Sequence, residues 1–380
     1  MSIKAKQIPA GWELSTLGEI ADVKNGKTNS QDAQEYGDYP LFDRSSVIKR
    51  SNKYLFDSVA IIIPGEGAEF IPKFFSGKFD LHQRAYAAYN FKEGVSPMFV
   101  YYNIDCFKKY FEKVAVGSTV KSLRLPHLIE YPILLPPSLE QTKIATILSK
   151  VDSEIEKVER IIEQTEKLKK GLVATLFSTH INSKKYRIYE IAEVTSSKRV
   201  MVADYVEEGV PFYRSTEIIK KSKNIPVTNP LYISVDRFNK FKERFGAPEE
   251  GDLLITAVGT IGDIYLVKNE TFYFKDGNSV WIRKLKNLVL PEYLKMILAS
   301  SFYRDKLNKI SGGSSQKALT IKKLETVEIP IPSVAEQKKL IVILTSIDMK
   351  ILINQQIKSH FLKLKKGLMN DLLSGKVRII

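Results

Sequence analysis

From Ser138 to about Phe177 the chain runs without proline and with a single glycine, and apolar side chains recur every three or four positions. Leu148, Ile155, Ile162, Lys169 and Leu176 mark one line, and Ile144, Val151, Val158, Thr165 and Leu172 the other. This is a heptad seam, and it predicts one long helix. A second stretch, about Ser333 to Leu373, puts Leu340, Leu344, Ile347, Ile351, Phe361, Leu368 and Leu372 on one stripe. Asn354 and Lys358 fall on the same stripe, so a stutter or local opening is expected there. Each helix would hold about 40 residues and reach about 60 Å. Both begin after a proline-rich stop, and Ser138 with Gln141, and Ser333 with Glu336, have the spacing of a capping box. Two matched helices in one chain pair most economically with each other, antiparallel; a homodimeric coiled coil is the alternative.

The remaining sequence has the shorter period of mixed α and β structure. Runs such as Val59 to Ile63 and Asp252 to Thr256 read as strands leading into glycine turns at Gly65/Gly67 and Gly259/Gly262. A helix is expected after each, from Met98 to Lys113 and from Pro291 to Lys309. The pattern predicts an α+β chain with a globule over 1–137, a helix over 138–179, a second globule over 180–332 and a second helix over 333–380.

The chain also repeats itself. GSTVKSLRLPHLIEYPILLPPSLEQTKIATIL, from Gly117, lies without a gap against the segment from Gly313, GSSQKALTIKKLETVEIPIPSVAEQKKLIVIL. The same separation brings Glu140-Gln141 onto Glu336-Gln337 and the run Lys167 to Leu172 onto Lys363 to Leu368. Further upstream, Ile20 to Val23 matches Ile191 to Val194, and Tyr39 to Phe42 matches Val210 to Tyr213, at a shorter separation. A shared frame with a different interior is what two domains need if they dock alike and read different things. The closing Ser374 to Ile379 echoes Ser183 to Ile188, so another copy of the first half would begin where the chain stops. That implies a cyclic, pseudo-twofold arrangement.

Charge narrows the function. Against 43 Asp and Glu there are 58 Lys and Arg, a net +15 that favours a polyanionic partner, nucleic acid first. One cysteine, Cys106, forms no internal disulfide, and four scattered histidines offer no metal-ligand spacing. The N-terminus lacks an apolar core of signal-peptide length, and the longest uninterrupted apolar runs are too short to span a bilayer, so a cytoplasmic protein without membrane contact is expected. No P-loop occurs, no paired-carboxylate nuclease pattern is evident, and Asn229-Pro230-Leu231-Tyr232 lacks the second proline of a base-gripping methyltransferase box, leaving an ordinary X-Pro turn.

Polar and basic clusters follow the repeated frame. Arg44, Ser45 and Ser46 stand opposite Arg214, Ser215 and Thr216; Gln83 and Arg84 stand opposite Lys275 and Asn278; Lys121 and Arg124 stand opposite Gln316 and Lys317. Arg, Gln, Asn and Ser are the side chains that bond base edges, whereas Lys mostly holds phosphates. Each alone could be a solvated loop residue; their recurrence in both halves makes them candidate DNA contacts.

The doubled run, PILLPPSLEQTKIATIL and EIPIPSVAEQKKLIVIL, each followed by a long helix closing on KLKKGL, resembles the specificity subunit of type I restriction-modification systems over essentially the whole chain. The first copy departs with Leu-Leu-Pro-Pro, but its Glu-Gln and helix follow in register. The resemblance implies two target recognition domains, each reading one part of a split asymmetric site on double-stranded DNA. It implies that the helices form the spacer and the dock for two methyltransferase subunits, with contacts expected around Glu140, Gln141, Glu336 and Gln337. It further implies that S-adenosylmethionine, ATP and Mg belong to methyltransferase and restriction (motor) subunits, and that this chain binds no cofactor and catalyses nothing. Two rival readings remain at this point: a helical adaptor without DNA readout, and a free-standing nucleic-acid enzyme.

Overall fold

The structure, a computed structural model, describes residues 8–179, 184–275, 277–312 and 317–379, with the backbone alone for 176–179. The chain folds as two units, one of Met1–Ile162 with Ile353–Ile380 and one of Glu163–Leu352. The division runs through both long helices, whereas the sequence pattern placed boundaries at the helix starts.

In the first unit the order is β1 (Glu13–Thr16), α1 (Leu17–Ile20), β2 (Asp22–Asn25), β3 (Tyr39–Phe42), β4 (Lys49–Ser51), β5 (Phe56–Pro64), β6 (Lys73–Leu81) and β7 (Ala85–Tyr89). Then follow α2 (Pro97–Phe107), α3 (Lys109–Val114), α4 (Leu125–Ile129), β8 (Pro132–Leu135) and α5 (Ser138–Thr179), which continues into the second unit. Six strands form one sheet in the order β2-β7-β5-β6-β3-β4, with β3 and β6 parallel. Its centre is β5, whose inner residues are buried on both faces. Ile61 and Ile63 pack with Phe99 and Phe111, while Ala60 and Ile62 pack with Phe42 and Phe79. This explains why Val59 to Ile63 reads as a continuous apolar run rather than an alternating one.

The second unit repeats the plan. It holds β9 (Lys185–Arg187), α6 (Ile188–Ile191), β10 (Glu193–Thr195), β11 (Tyr205–Val206), β12 (Val210–Tyr213), α7 (Ser215–Ser222), β13 (Leu231–Ile233), α8 (Val235–Phe245), β14 (Leu253–Thr256), β15 (Ile264–Leu266), β16 (Tyr273–Phe274) and β17 (Ser279–Arg283). After these come α9 (Pro291–Ala299), α10 (Ser301–Ile310), α11 (Ile321–Glu325), β18 (Glu328–Pro330) and α12 (Val334–Leu373). Two four-stranded sheets, β10-β17-β14-β15 and β11-β13-β12-β16, replace the single sheet, because the stretch matching the continuous β6 is broken into β15 and β16. The expected helices after the strands are likewise broken. Lys108 separates α2 from α3, and Ser300, in extended conformation, separates α9 from α10 and caps α10 by accepting from the Tyr303 N–H.

Of the heptad seam of α5, Ile144, Leu148, Ile155, Val158 and Thr165 are buried, Val151, Ile162, Lys169 and Leu172 are half-buried, and the Leu176 side chain lies outside the described residues. Within the first unit, α5 and α12 are joined by Lys365–Asp152 (2.7 Å) and Lys358–Glu159 (2.8 Å), and within the second by Lys169–Asp348. As one partner's number rises the other's falls, which is antiparallel pairing. No opening occurs at Asn354 and Lys358: α12 is continuous there and Lys358 meets its carboxylate. By length and composition α12 is also long and apolar enough to cross a membrane, although its uninterrupted apolar runs are short. Much of that apolar surface is exposed, notably Val342, Met349 and Leu352. The aligned positions of α5 carry Thr146, Ser153 and Glu156, so the two helices do not present the same outer face.

The capping boxes came out unequally. Ser333 and Glu336 form one, the Glu336 carboxylate taking the Ser333 N–H at 2.9 Å. In the first copy the position aligned with Ser333 is Pro137, which has no hydroxyl, and Gln141 does not reach back to Ser138. Its amide instead accepts from the Ser96 N–H (2.8 Å) and donates to the carbonyls of Gly94 (3.3 Å) and Pro136 (2.9 Å). Gln337 does the same, accepting from Leu290 N–H and donating to the carbonyls of Leu288 and Pro332, at 2.8, 2.8 and 2.9 Å.

Candidate nucleic-acid interface

In the first unit four loops meet beyond the ends of β3, β5 and β6. Backbone bonds hold them: His82 N–H to the Phe42 carbonyl (2.9 Å), Gly65 N–H to that of Arg84 (2.9 Å), Leu123 N–H to that of Gly65 (2.7 Å) and Gly67 N–H to that of Lys121 (3.1 Å). Gly65 is required by this closeness, since a Cβ there would lie 2.4 Å from the Arg84 carbonyl oxygen. The second unit repeats three of these bonds. Lys275 N–H donates to Tyr213, Ala257 N–H to Asn278 and Leu319 N–H to Ala257, at 2.9, 2.8 and 2.9 Å. Arg84 and Asn278 therefore occupy the same place in the two loop clusters, as do His82 and Lys275.

The side chains gather accordingly. Arg84 Nη1 donates to both oxygens of Glu66, at 2.9 and 3.0 Å, and Arg44 Nη1 lies 3.8 Å from the same carboxylate. Both guanidiniums are more than half exposed, whereas Glu66 is 15% exposed, so the acid is the fixed member. Gln83 Nε2 donates to Asn29 Oδ1 at 2.7 Å. The loop bearing Arg44, Ser45 and Ser46 is built, not free. Asp43 accepts from Ser45 N–H (2.7 Å) and pairs with Lys49 (2.7 Å), and Lys73 Nζ donates to the Ser45 carbonyl (2.5 Å). The Lys49 and Ser45 bonds outweigh burial and hold the Asp43 carboxyl below its ordinary range, while burial pushes the Lys73 amine down. Burial also lowers the pKa of His82, whose neutral Nδ1 accepts from Arg84 N–H at 3.0 Å. Lys121 donates to the Glu112 carbonyl at 2.6 Å, and Arg124 is an exposed residue at the start of α4.

In the second unit Ser215 Oγ donates to the Asn278 carbonyl at 3.4 Å, and Thr216, Lys275 and Lys317 are exposed. Gln316 lies outside the described residues. Arg214 differs from the expectation of a free base-reading fork: its Nε and Nη2 both bond Glu217, at 3.1 and 2.9 Å, which occupies one of the edges a bidentate base contact can use. The Asn278 side chain is half-buried and has no hydrogen-bond partner among the described residues.

The residues expected to contact partner subunits are placed otherwise. Gln141 and Gln337 are interior, tied to their own units as described. Glu140 is also buried, accepting from Arg378 Nε (2.8 Å), Trp12 Nε1 (3.1 Å) and Ile379 N–H (3.1 Å); the bonds from Arg378 foremost hold its pKa down. Only Glu336 is exposed, and it caps α12. The Gln recurs because each unit needs its amide internally, so Glu140, Gln141 and Gln337 are not free to dock a partner, whereas Glu336 is exposed. Glu66 and Glu217 are acids among bases, and nothing in the local sequence marks them as the partners of Arg84 and Arg214. Among the described residues, no three His, Cys, Asp or Glu are grouped to hold a metal.

The family profile described as type I restriction modification DNA specificity domain matches residues 9–167 and again 181–361. The chain belongs to this family. The repeat read from the sequence is thus a doubled specificity domain, with the loop clusters at matching places in each copy. Among relatives, the type I restriction enzyme MjaVIII specificity subunit of Methanocaldococcus jannaschii is 24% identical, over 98% of this chain and 94% of the relative. The crystal structure of a type I restriction-modification S subunit from M. genitalium matches with a TM-score of 0.65 at 19% identity, covering 97% of both chains. A chain from a structural study of assembly and conformational transition in the type I system matches at 0.54 and 16%, covering 98% of this chain and all of the other (100%). These structural likenesses establish the α+β specificity-domain fold.

Proposed function

We propose that this chain is the DNA sequence-specificity subunit of a type I restriction-modification complex, each unit reading one part of a two-part asymmetric site on double-stranded DNA. The observation that carries the reading is the pair of loop clusters, held by matching backbone bonds but furnished with different polar side chains, Arg84 in one and Asn278 in the other. A common scaffold with unlike reading groups suits two unlike half-sites. The net charge of +15 supplies attraction to phosphates, with exposed Lys275 and Lys317 suited to that role.

The chemistry falls to partners in this reading. The chain is a non-catalytic, cytoplasmic subunit; methyltransferase subunits carry S-adenosylmethionine, and a restriction subunit supplies the ATP- and Mg-dependent motor. Two methyltransferase copies per chain fit the doubled domain. Their contacts fall on exposed residues of the helices, since Glu140, Gln141 and Gln337 are buried.

Titration of full-length chain with random-sequence and genomic duplexes over a salt series tests direct DNA readout. Binding should fall roughly a thousandfold between ~50 and ~200 mM salt if about six phosphates are neutralised. Salt-insensitive or absent binding would favour the adaptor reading, and methylation or cleavage by the isolated chain would favour the enzyme.

A further inference from the structure

We propose that Arg84 reads a guanine in the half-site of the first unit and that Glu66 is the positioning residue that aims it; this rests on the DNA-reading function above. Glu66 bonds Nη1 alone. The opposite edge of the guanidinium, Nε with Nη2, has no partner among the described residues, and the side chain is 62% exposed. That edge is a planar pair of parallel donors. In the major groove, guanine offers the matching pair of acceptors, O6 and N7.

Position and restraint support the assignment. The Arg84 carbonyl joins the β5 loop to the β7 loop, and the half-buried Glu66 carboxylate holds the guanidinium from behind. A fork fixed before contact loses less side-chain freedom on binding, and its direction discriminates rather than merely attracts. Arg44 approaches the same carboxylate only at 3.8 Å and is less restrained. Arg214 has its corresponding edge closed by Glu217, so in the second unit the group available at the equivalent place is the Asn278 amide. The two units therefore do not read through the same side-chain type.

Binding of the full chain with its methyltransferase partners to duplex pools, randomised within each half-site, tests this. Wild type should select one guanine in one half-site by about tenfold or more. Arg84→Lys should retain affinity for non-specific duplex yet lose that selection, because it keeps the charge and lacks the fork. Glu66→Gln should weaken selection at that same position a few-fold and nowhere else. Replacing the selected guanine by 7-deazaguanine, which lacks N7, should weaken wild type several-fold and leave Arg84→Ala indifferent. Unchanged base preference in Arg84→Ala and Arg84→Lys, with specific binding otherwise intact, overturns the assignment and leaves the DNA-reading function standing. Failure of the wild-type complex to select any sequence overturns both.

Discussion

Gln141 and Gln337 show how much one side chain can explain. Each amide satisfies one backbone N–H and two carbonyls at the start of a long helix. Truncation strands all three groups inside the protein. At about 1 kcal/mol per hydrogen bond, Gln337→Ala should cost the second unit about 3 kcal/mol. The two tryptophans make this measurable, because Trp12 lies in the first unit and Trp281 in the second. In a Trp12→Phe background, the urea midpoint followed by Trp281 fluorescence should fall for Gln337→Ala and stay put for Gln141→Ala. The Glu140–Arg378 pair adds a pH dependence of known sign. Glu140 has its pKa lowered from an ordinary 4.5, so its contribution is present above that range and fades as pH falls through the depressed folded value. Arg378→Ala should therefore lower first-unit stability at neutral pH, with the gap to wild type closing in acid; a gap constant with pH would contradict it. Arg214→Ala should relax base selection less than Arg84→Ala does, since its fork is already occupied; equal loss of selection would show that Glu217 releases it on binding. These residue roles were hard to read from sequence. Recurrence marks Gln141 and Gln337 as shared, but a shared interior need and a shared partner leave the same trace.

Elements were more legible than side chains. The long helices announced themselves because a seam of period 3.5 over about 40 residues has no other stable home than against a second helix. Ser333 and Leu373 were placed within a residue of the observed ends of α12. The globules resisted. The continuous β6 and the broken pair β15 and β16 fill the same place, and their difference depends on strand pairing far along the chain, which local period does not encode. The helix breaks at Lys108 and Ser300 were hidden for a related reason, since apolar spacing continues across them. On α12 the polar seam residues Asn354 and Lys358 looked like a weak point, yet an ion pair with Glu159 crosses there. Lys358→Leu should extend the apolar seam and be close to neutral, because the pair is largely exposed and the Glu159 left behind stays hydrated. A large loss of thermal stability in that variant would show that the pair fixes register.

For the whole molecule, the repeat and the charge carried most of the function. A doubled domain with a net +15 called for a polyanion read twice, and the family match over both halves agrees with that reading. What the sequence lacked was the convergence of loops around residues 44, 66, 84 and 121 and around their second-unit counterparts. It follows from backbone bonds between residues tens of positions apart. The unlike furnishing of the two clusters makes a direct claim: one chain specifies two different half-sites. Genome-wide mapping of methylated positions in cells with this chain, without it, and with Arg84→Ala in its place tests that claim. The account predicts a split motif that disappears on deletion and, with Arg84→Ala, loses selection at a guanine in one half while the other half is unchanged. A methylation pattern unaffected by deletion, or a motif without two separable halves, would contradict it.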